Sequence, residues 1–220
     1  MDGSLRPGDV HVWRVPLDLP EADVAALAAR VAPDEAAWAA EQRLESVRRR
    51  VLVTRAALRE ILAGYAGCAP TVLRFAVEPS GRPRLAAPPA DLRFNLSHTE
   101  GLALVAVTRG RQVGVDVERL KDRARWPEIA RRYFTAREAA QIADLRGFLT
   151  VWTRKEAYVK ARGAGIGFGL DRFEVTVAGA GALIGEPGWT LRDVPMPEPY
   201  VAAVAVEGDL AALGERDWSP

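Results

Sequence analysis

The chain has 220 residues, 49% hydrophobic and 27% charged, the balance of a globular protein able to build a core. Its formal net charge of +1 excludes a global electrostatic attraction for nucleic acid or an anionic membrane. One cysteine, Cys68, excludes an internal disulfide and a cysteine-built zinc site, and no apolar run reaches membrane-spanning length.

In chain order, the polar start Met1-Asp2-Gly3-Ser4 has no apolar stretch behind it, so no signal peptide and a cytoplasmic location are expected. Residues 10–15 alternate as a strand closed by Pro16. Pro20 opens a short helix to about Val31. Pro33 opens a longer helical run to about Ala63, with Gly64 as its stop and an apolar stripe through Val47, Val51, Leu58 and Ile61. Arg43, Arg48, Arg49 and Arg50 crowd its middle, a solvated basic face that also suits phosphate. Strands are expected at 72–77, 92–98, 102–107 and 113–118, with turns at 78–81 and 109–112. Trp126-Pro127 begins a helix to about Phe134. Thr135, with Glu138 three residues on, has the capping-box spacing and opens another to Leu145. A third runs from about Gly147 to Gly163. After a glycine-rich loop at 163–169, strands are expected at 172–177, 189–194 and 200–206, and the tail beyond Gly208 reads as a short helix or a frayed end. Helices followed by strands occur once before residue 109 and again after it. The expected fold is therefore α+β, in two halves, 1–109 and 110–220.

Several residue types in this pattern carry chemistry. Asp116 and Glu118 lie two apart on a strand and share a face, where two carboxylates repel unless a metal ion or an arginine sits between them. Trp152, Glu156 and Lys160 are spaced four apart on one helix stripe. Alone, Glu156 and Lys160 would read as a weak surface ion pair. Glu156 added to Asp116 and Glu118 makes a carboxylate set suited to magnesium. That ion takes one or two protein carboxylates and completes its shell with water and substrate phosphate. Lys160 would then supply a point charge to the phosphate. Ser97 and His98 are adjacent on a strand and point to opposite faces, so they are not a nucleophile–base pair. Donation of hydrogen bonds to phosphate suits them better. His11 reads as structural.

Four segments occur in one order at compatible spacings: Phe94-Asn95-Leu96-Ser97-His98, Gly114-Val115-Asp116-Val117-Glu118, Phe134-Thr135-Ala136-Arg137-Glu138, and the run from Trp152 to Ala161. Together they resemble the 4′-phosphopantetheinyl transferase superfamily in its longer, surfactin-synthetase-activating type. The likeness covers about residues 43 to 170. It implies two similar halves about a pseudo-twofold axis and a monomer. The implied reaction moves the phosphopantetheine arm of coenzyme A to a serine of an apo acyl or peptidyl carrier protein. It implies Asp116, Glu118 and Glu156 as ligands of magnesium, or manganese, with Glu156 or a metal-bound water as base and Lys160 on the phosphate. It further implies Ser97, His98 and Arg50 as coenzyme A phosphate contacts, and Arg82 near the adenine end. Trp152 is expected to anchor the helix and Glu138 to cap one. Residues 31–40 lack the basic side chains some members place there. No nucleic-acid or membrane partner is expected. A magnesium-dependent phosphohydrolase using the same acids and a non-catalytic carrier-binding module are the competing readings.

Overall fold

The computed structural model describes residues 4–220; Met1–Gly3, and with them most of the polar start, lie outside it. The architecture is α+β, as expected. The first part runs β1 (Asp9–Pro16), α1 (Glu21–Ala28), α2 (Pro33–Ala40), α3 (Glu45–Ala66), β2 (Arg74–Val77), β3 (Pro83–Ala87), β4 (Leu92–Thr99) and β5 (Leu102–Arg109). The second runs β6 (Val113–Arg119), α4 (Trp126–Tyr133), α5 (Ala136–Gln141), α6 (Leu145–Arg162), β7 (Glu174–Val175), β8 (Leu183–Ile184), β9 (Trp189–Asp193), β10 (Tyr200–Glu207) and β11 (Ala212–Asp217).

Two main sheets result, ordered β11-β1-β5-β4 and β6-β10-β9. Strand alternation decides what each face buries. Val10, Val12, Leu104 and Ala106 of the first sheet meet Val113, Val115, Val117, Val204 and Val206 of the second in one apolar cluster. The other face of the first sheet, with Val15, Val105 and Val107, packs on Val53, Ala57 and Ile61 of α3. The other face of the second, with Leu191, Ala203 and Ala205, packs on Phe148, Ala157 and Tyr158 of α6. β5 is apolar on both faces because it is covered on both.

Three expectations change. The long helix from Pro33 is two helices, α2 and α3, and its stop is the left-handed Gly67 (φ 65°), with Gly64 inside the helix. The break has a tertiary cause. Glu35 Oε2 and Arg59 Nε form a buried ion pair at 2.5 Å. In one straight helix, residues that far apart in sequence would be separated by about 36 Å. The tail is neither helix nor frayed. It forms β11, parallel to β1, with Trp218 buried behind it and its Nε1 donating to Glu60 Oε2 at 2.9 Å. Residues 212–217 lack strong alternation, and the open edge of β1 supplies their partner. The strand expected at 172–177 is only β7, paired with β8, and α5 ends at Gln141. Asp144 Oδ1 caps α6 by accepting from Gly147 N at 2.7 Å.

Candidate active site

The two sheets meet along β4 and β6 through side chains. Asn95, Ser97 and Thr99 alternate along β4 and face β6 together. Asn95 Oδ1 accepts from Val115 N at 3.0 Å, and Thr99 Oγ1 from Arg119 N at 3.3 Å. Between them Ser97 Oγ donates to Asp116 Oδ1 at 2.8 Å. The sequence motif contained Asn95, but only the seam shows what it does.

On the outer face of β6, α6 lies almost in contact with the strand backbone. Gly114 permits this, because a Cβ there would run into Ala157 O, Ala161 N and Ala161 Cα of the helix. The close approach brings Lys160 over β6. Its Nζ donates to Asp116 Oδ1 at 2.7 Å, to Ser97 Oγ at 2.9 Å and to Val115 O at 3.3 Å. Residues from β4, β6 and α6 thus share one junction. Three buried groups hold α6 in place. Lys155 Nζ pairs with Glu138 at 2.8 Å and donates to the Leu170 and Phe173 carbonyls. Arg154 pairs with Asp193 at 2.5 Å. Trp152 packs against Phe134 and Phe148, so it serves as an anchor. Glu138 has the expected capping geometry with Thr135 and adds the Lys155 pair to it.

The acids stand within electrostatic reach of one another. Asp116 Oδ2 is buried without a hydrogen-bond partner among the described residues. Burial raises the Glu118 carboxyl pKa, with repulsion from Asp116 adding and Arg123 opposing. Burial also raises Glu156, with Asp116 and Glu118 adding and Lys160 opposing. Glu156 has no hydrogen-bond or ion-pair partner among the described residues, whereas Glu118 Oε2 is 2.6 Å from Arg123 Nη2. Among the described residues, no three histidine, cysteine or acidic side chains gather tightly enough to hold a metal ion. The donor chemistry still fits a hard divalent cation. The orphan Asp116 oxygen and two carboxyls destabilised by mutual repulsion are what such an ion relieves.

The remaining candidates lie nearby. Arg50 and His98 line one cavity of about 410 Å³ with Trp38, Val51 and Leu96. Arg50 is held by Asp18, with Nη2 to Oδ1 at 2.9 Å. Burial lowers the His98 pKa, and Lys160 and Arg50 lower it further. Arg82 reaches from the β2–β3 hairpin to the end of α6. There it donates to the carbonyls of Lys160 and Ala161 and to Gln112 Oε1. Its guanidinium is engaged on helix-terminal carbonyls, which attract cations. His11 sits apart, buried against Tyr65 and Arg216.

A family model described as the 4′-phosphopantetheinyl transferase superfamily matches residues 112–205, which hold Asp116, Glu118, Glu156 and Lys160. The 4′-phosphopantetheinyl transferase HetI of a Nostoc species is 39% identical over 215 residues, covering 93% of this chain and 90% of the relative. The chain belongs to the 4′-phosphopantetheinyl transferase superfamily. A 4′-phosphopantetheinyl transferase of Bacillus subtilis is 30% identical over 132 residues, 57% of each chain. AcpT of Escherichia coli K12 is 40% identical over 90 residues, 38% of this chain and 45% of that one. Within this phosphopantetheinyl transferase, the HetI similarity extends beyond the region the family model matches, to most of the first sheet's side of the junction as well. Among the described residues no helix is long and apolar enough to cross a membrane.

Proposed function

We propose that this protein moves the 4′-phosphopantetheine arm of coenzyme A onto a serine hydroxyl of an apo carrier protein and releases adenosine 3′,5′-bisphosphate. The observation that carries the reading is the junction of Ser97, Asp116 and Lys160, drawn from both sheets and flanked by Glu118 and Glu156. In the step, the carrier serine oxygen attacks the phosphorus next to pantetheine. The bond from that phosphorus to the bridging oxygen breaks, and the electron pair leaves with adenosine 3′,5′-bisphosphate. Glu156, unpaired and with a raised carboxyl pKa, is placed to take the serine proton. Lys160 supplies a fixed positive charge where the leaving group gains negative charge. Ser97 and His98 donate to the phosphates, and Arg50 holds the 3′-phosphate at the cavity it shares with His98. Arg82 steadies the end of α6 close to the adenine end. Asp116, Glu118 and Glu156 would hold magnesium, or manganese in its place. The ion, when bound, polarises the phosphoryl oxygens.

In this reading residues 1–109 form the half that contacts the nucleotide, and 110–220 form the half with the acids and α6. β11 ties the second half back onto the first sheet. The protein acts as a cytoplasmic monomer on polyketide, nonribosomal peptide or fatty acid carriers, without nucleic acid or membrane. Relatives named as transferases favour this reading over a phosphohydrolase or a non-catalytic module. The test is a mass spectrum of apo carrier proteins of all three kinds, incubated with the protein, coenzyme A and magnesium. A phosphopantetheine mass gain is expected. Its absence from every carrier would overturn the proposal.

A further inference from the structure

Two of the three junction acids are held by cations of the chain itself: Asp116 by Lys160 at 2.7 Å and Glu118 by Arg123 at 2.6 Å. Arg123 belongs to the loop between β6 and α4. In that loop Lys121, Asp122, Ala124 and Arg125 are exposed, while Arg123 is half-buried with its guanidinium turned to Glu118. Its backbone is pinned, since Arg123 O accepts from Trp126 N at 2.8 Å and Trp126 packs on Phe148. Glu118 is itself mostly buried, so its charge has little water to rely on.

We propose that Arg123 is a positioning residue that occupies Glu118 in the metal-free enzyme and thereby sets how tightly the acid cluster takes a divalent cation. The inference rests on the reading of Asp116, Glu118 and Glu156 as the metal-holding set. A cation that must displace an ion pair binds more weakly by the free energy of that pair. Without Arg123, the metal-free site would keep an unpaired carboxylate beside Asp116, and a metal ion would find that carboxylate free. Arg123→Gln therefore has two linked effects: tighter metal binding and a less stable metal-free protein.

The experiment is Mn²⁺ titration of the full chain by calorimetry or electron paramagnetic resonance, with no coenzyme A or carrier present. R123Q is compared with the wild type, with R123K, and with R119Q. Arg119 lies at the same strand end but pairs with Glu100 at 3.0 Å, so R119Q removes the same charge from outside the cluster. R123Q is expected to bind Mn²⁺ about three- to tenfold more tightly, the scale of losing one partly buried ion pair. R123K should fall between, and R119Q should match the wild type. The rise in Tm on adding Mn²⁺ should be largest in R123Q. Equal affinity in R123Q and wild type would overturn the proposal. So would equal tightening in R119Q, which would mark a bulk charge effect. A wild type that binds no Mn²⁺ overturns it together with the metal set. The transfer assay stands apart: failure of transfer with the Mn²⁺ pattern intact sinks the function and leaves Arg123's role standing.

Discussion

Gly114→Ala tests whether the contact between α6 and β6 assembles the site. Gly114 has no positive φ, so alanine brings no backbone strain and acts through its methyl group alone. That methyl would meet Ala157 O and Ala161 N at less than contact distance and Ala161 Cα at 2.9 Å. These are backbone atoms of a helix, so no side-chain rotation relieves the clash. Carbon contacts start near 3.5 Å, so α6 must retreat by at least about half an ångström. Overpacking of this kind costs about 1–3 kcal/mol, and at this chain length each kcal/mol lowers Tm by about 2–4 °C. A fall in Tm of roughly 5–10 °C is expected. Activity should suffer more, because Glu156 and Lys160 lie beside the two clashing positions and the Lys160–Asp116 bond of 2.7 Å spans the gap. A displacement near 1 Å lowers turnover about 10²-fold. Thermal unfolding and kcat/KM for carrier modification measure both effects. A Tm within about 2 °C of wild type with kcat/KM within about twofold would refute the reasoning.

Glu156→Gln should lower kcat/KM by about 10²-fold or more while Tm holds or rises, since Gln removes a charge that Asp116 and Glu118 repel. Near-normal turnover would take Glu156 out of the site. Glu138→Gln leaves the Lys155 ammonium buried without its partner; a loss of about 3–5 kcal/mol is expected in denaturant titrations, and an unchanged midpoint would contradict it. His98 should titrate by NMR below the usual 6.5, because burial, Lys160 and Arg50 disfavour its cation. The unfolded chain then binds the proton first, so stability falls as pH drops below 6.5 toward the folded-state value. His98→Gln should flatten that slope, and coenzyme A, as a polyanion, should raise the His98 pKa. A His98 that titrates at or above 6.5 in the free protein would refute this.

Much of the fold was legible because it is written in local periodicity. The alternation of residues 102–107 and 113–118 marks strands, and Thr135 with Glu138 marks a helix start, since each pattern reports on neighbours a few residues away. The chemistry of the site was legible as a set of residue types: three carboxylates, a lysine, and Ser97 beside His98. Its geometry was not. Gly114 stood inside a recognised motif, yet nothing local says that a helix more than forty residues on will press against it. Arg123 stood in no motif, and only the folded loop turns it toward Glu118.

The sequence by itself determined which segments are helix or strand and which side chains could do phosphoryl chemistry, because φ/ψ preference and side-chain type are properties of short stretches. Tertiary structure decided the break between α2 and α3, the strand at the tail, and the partners of Lys160 and Arg82. Those depend on which distant groups come within about 3 Å, and on the cost of burying a charge or a strand edge without one. Glu156 and Lys160, ordinary as a pair on a helix, are set apart by that packing: Lys160 turns to Asp116 and Ser97, and Glu156 is left unpaired among the acids.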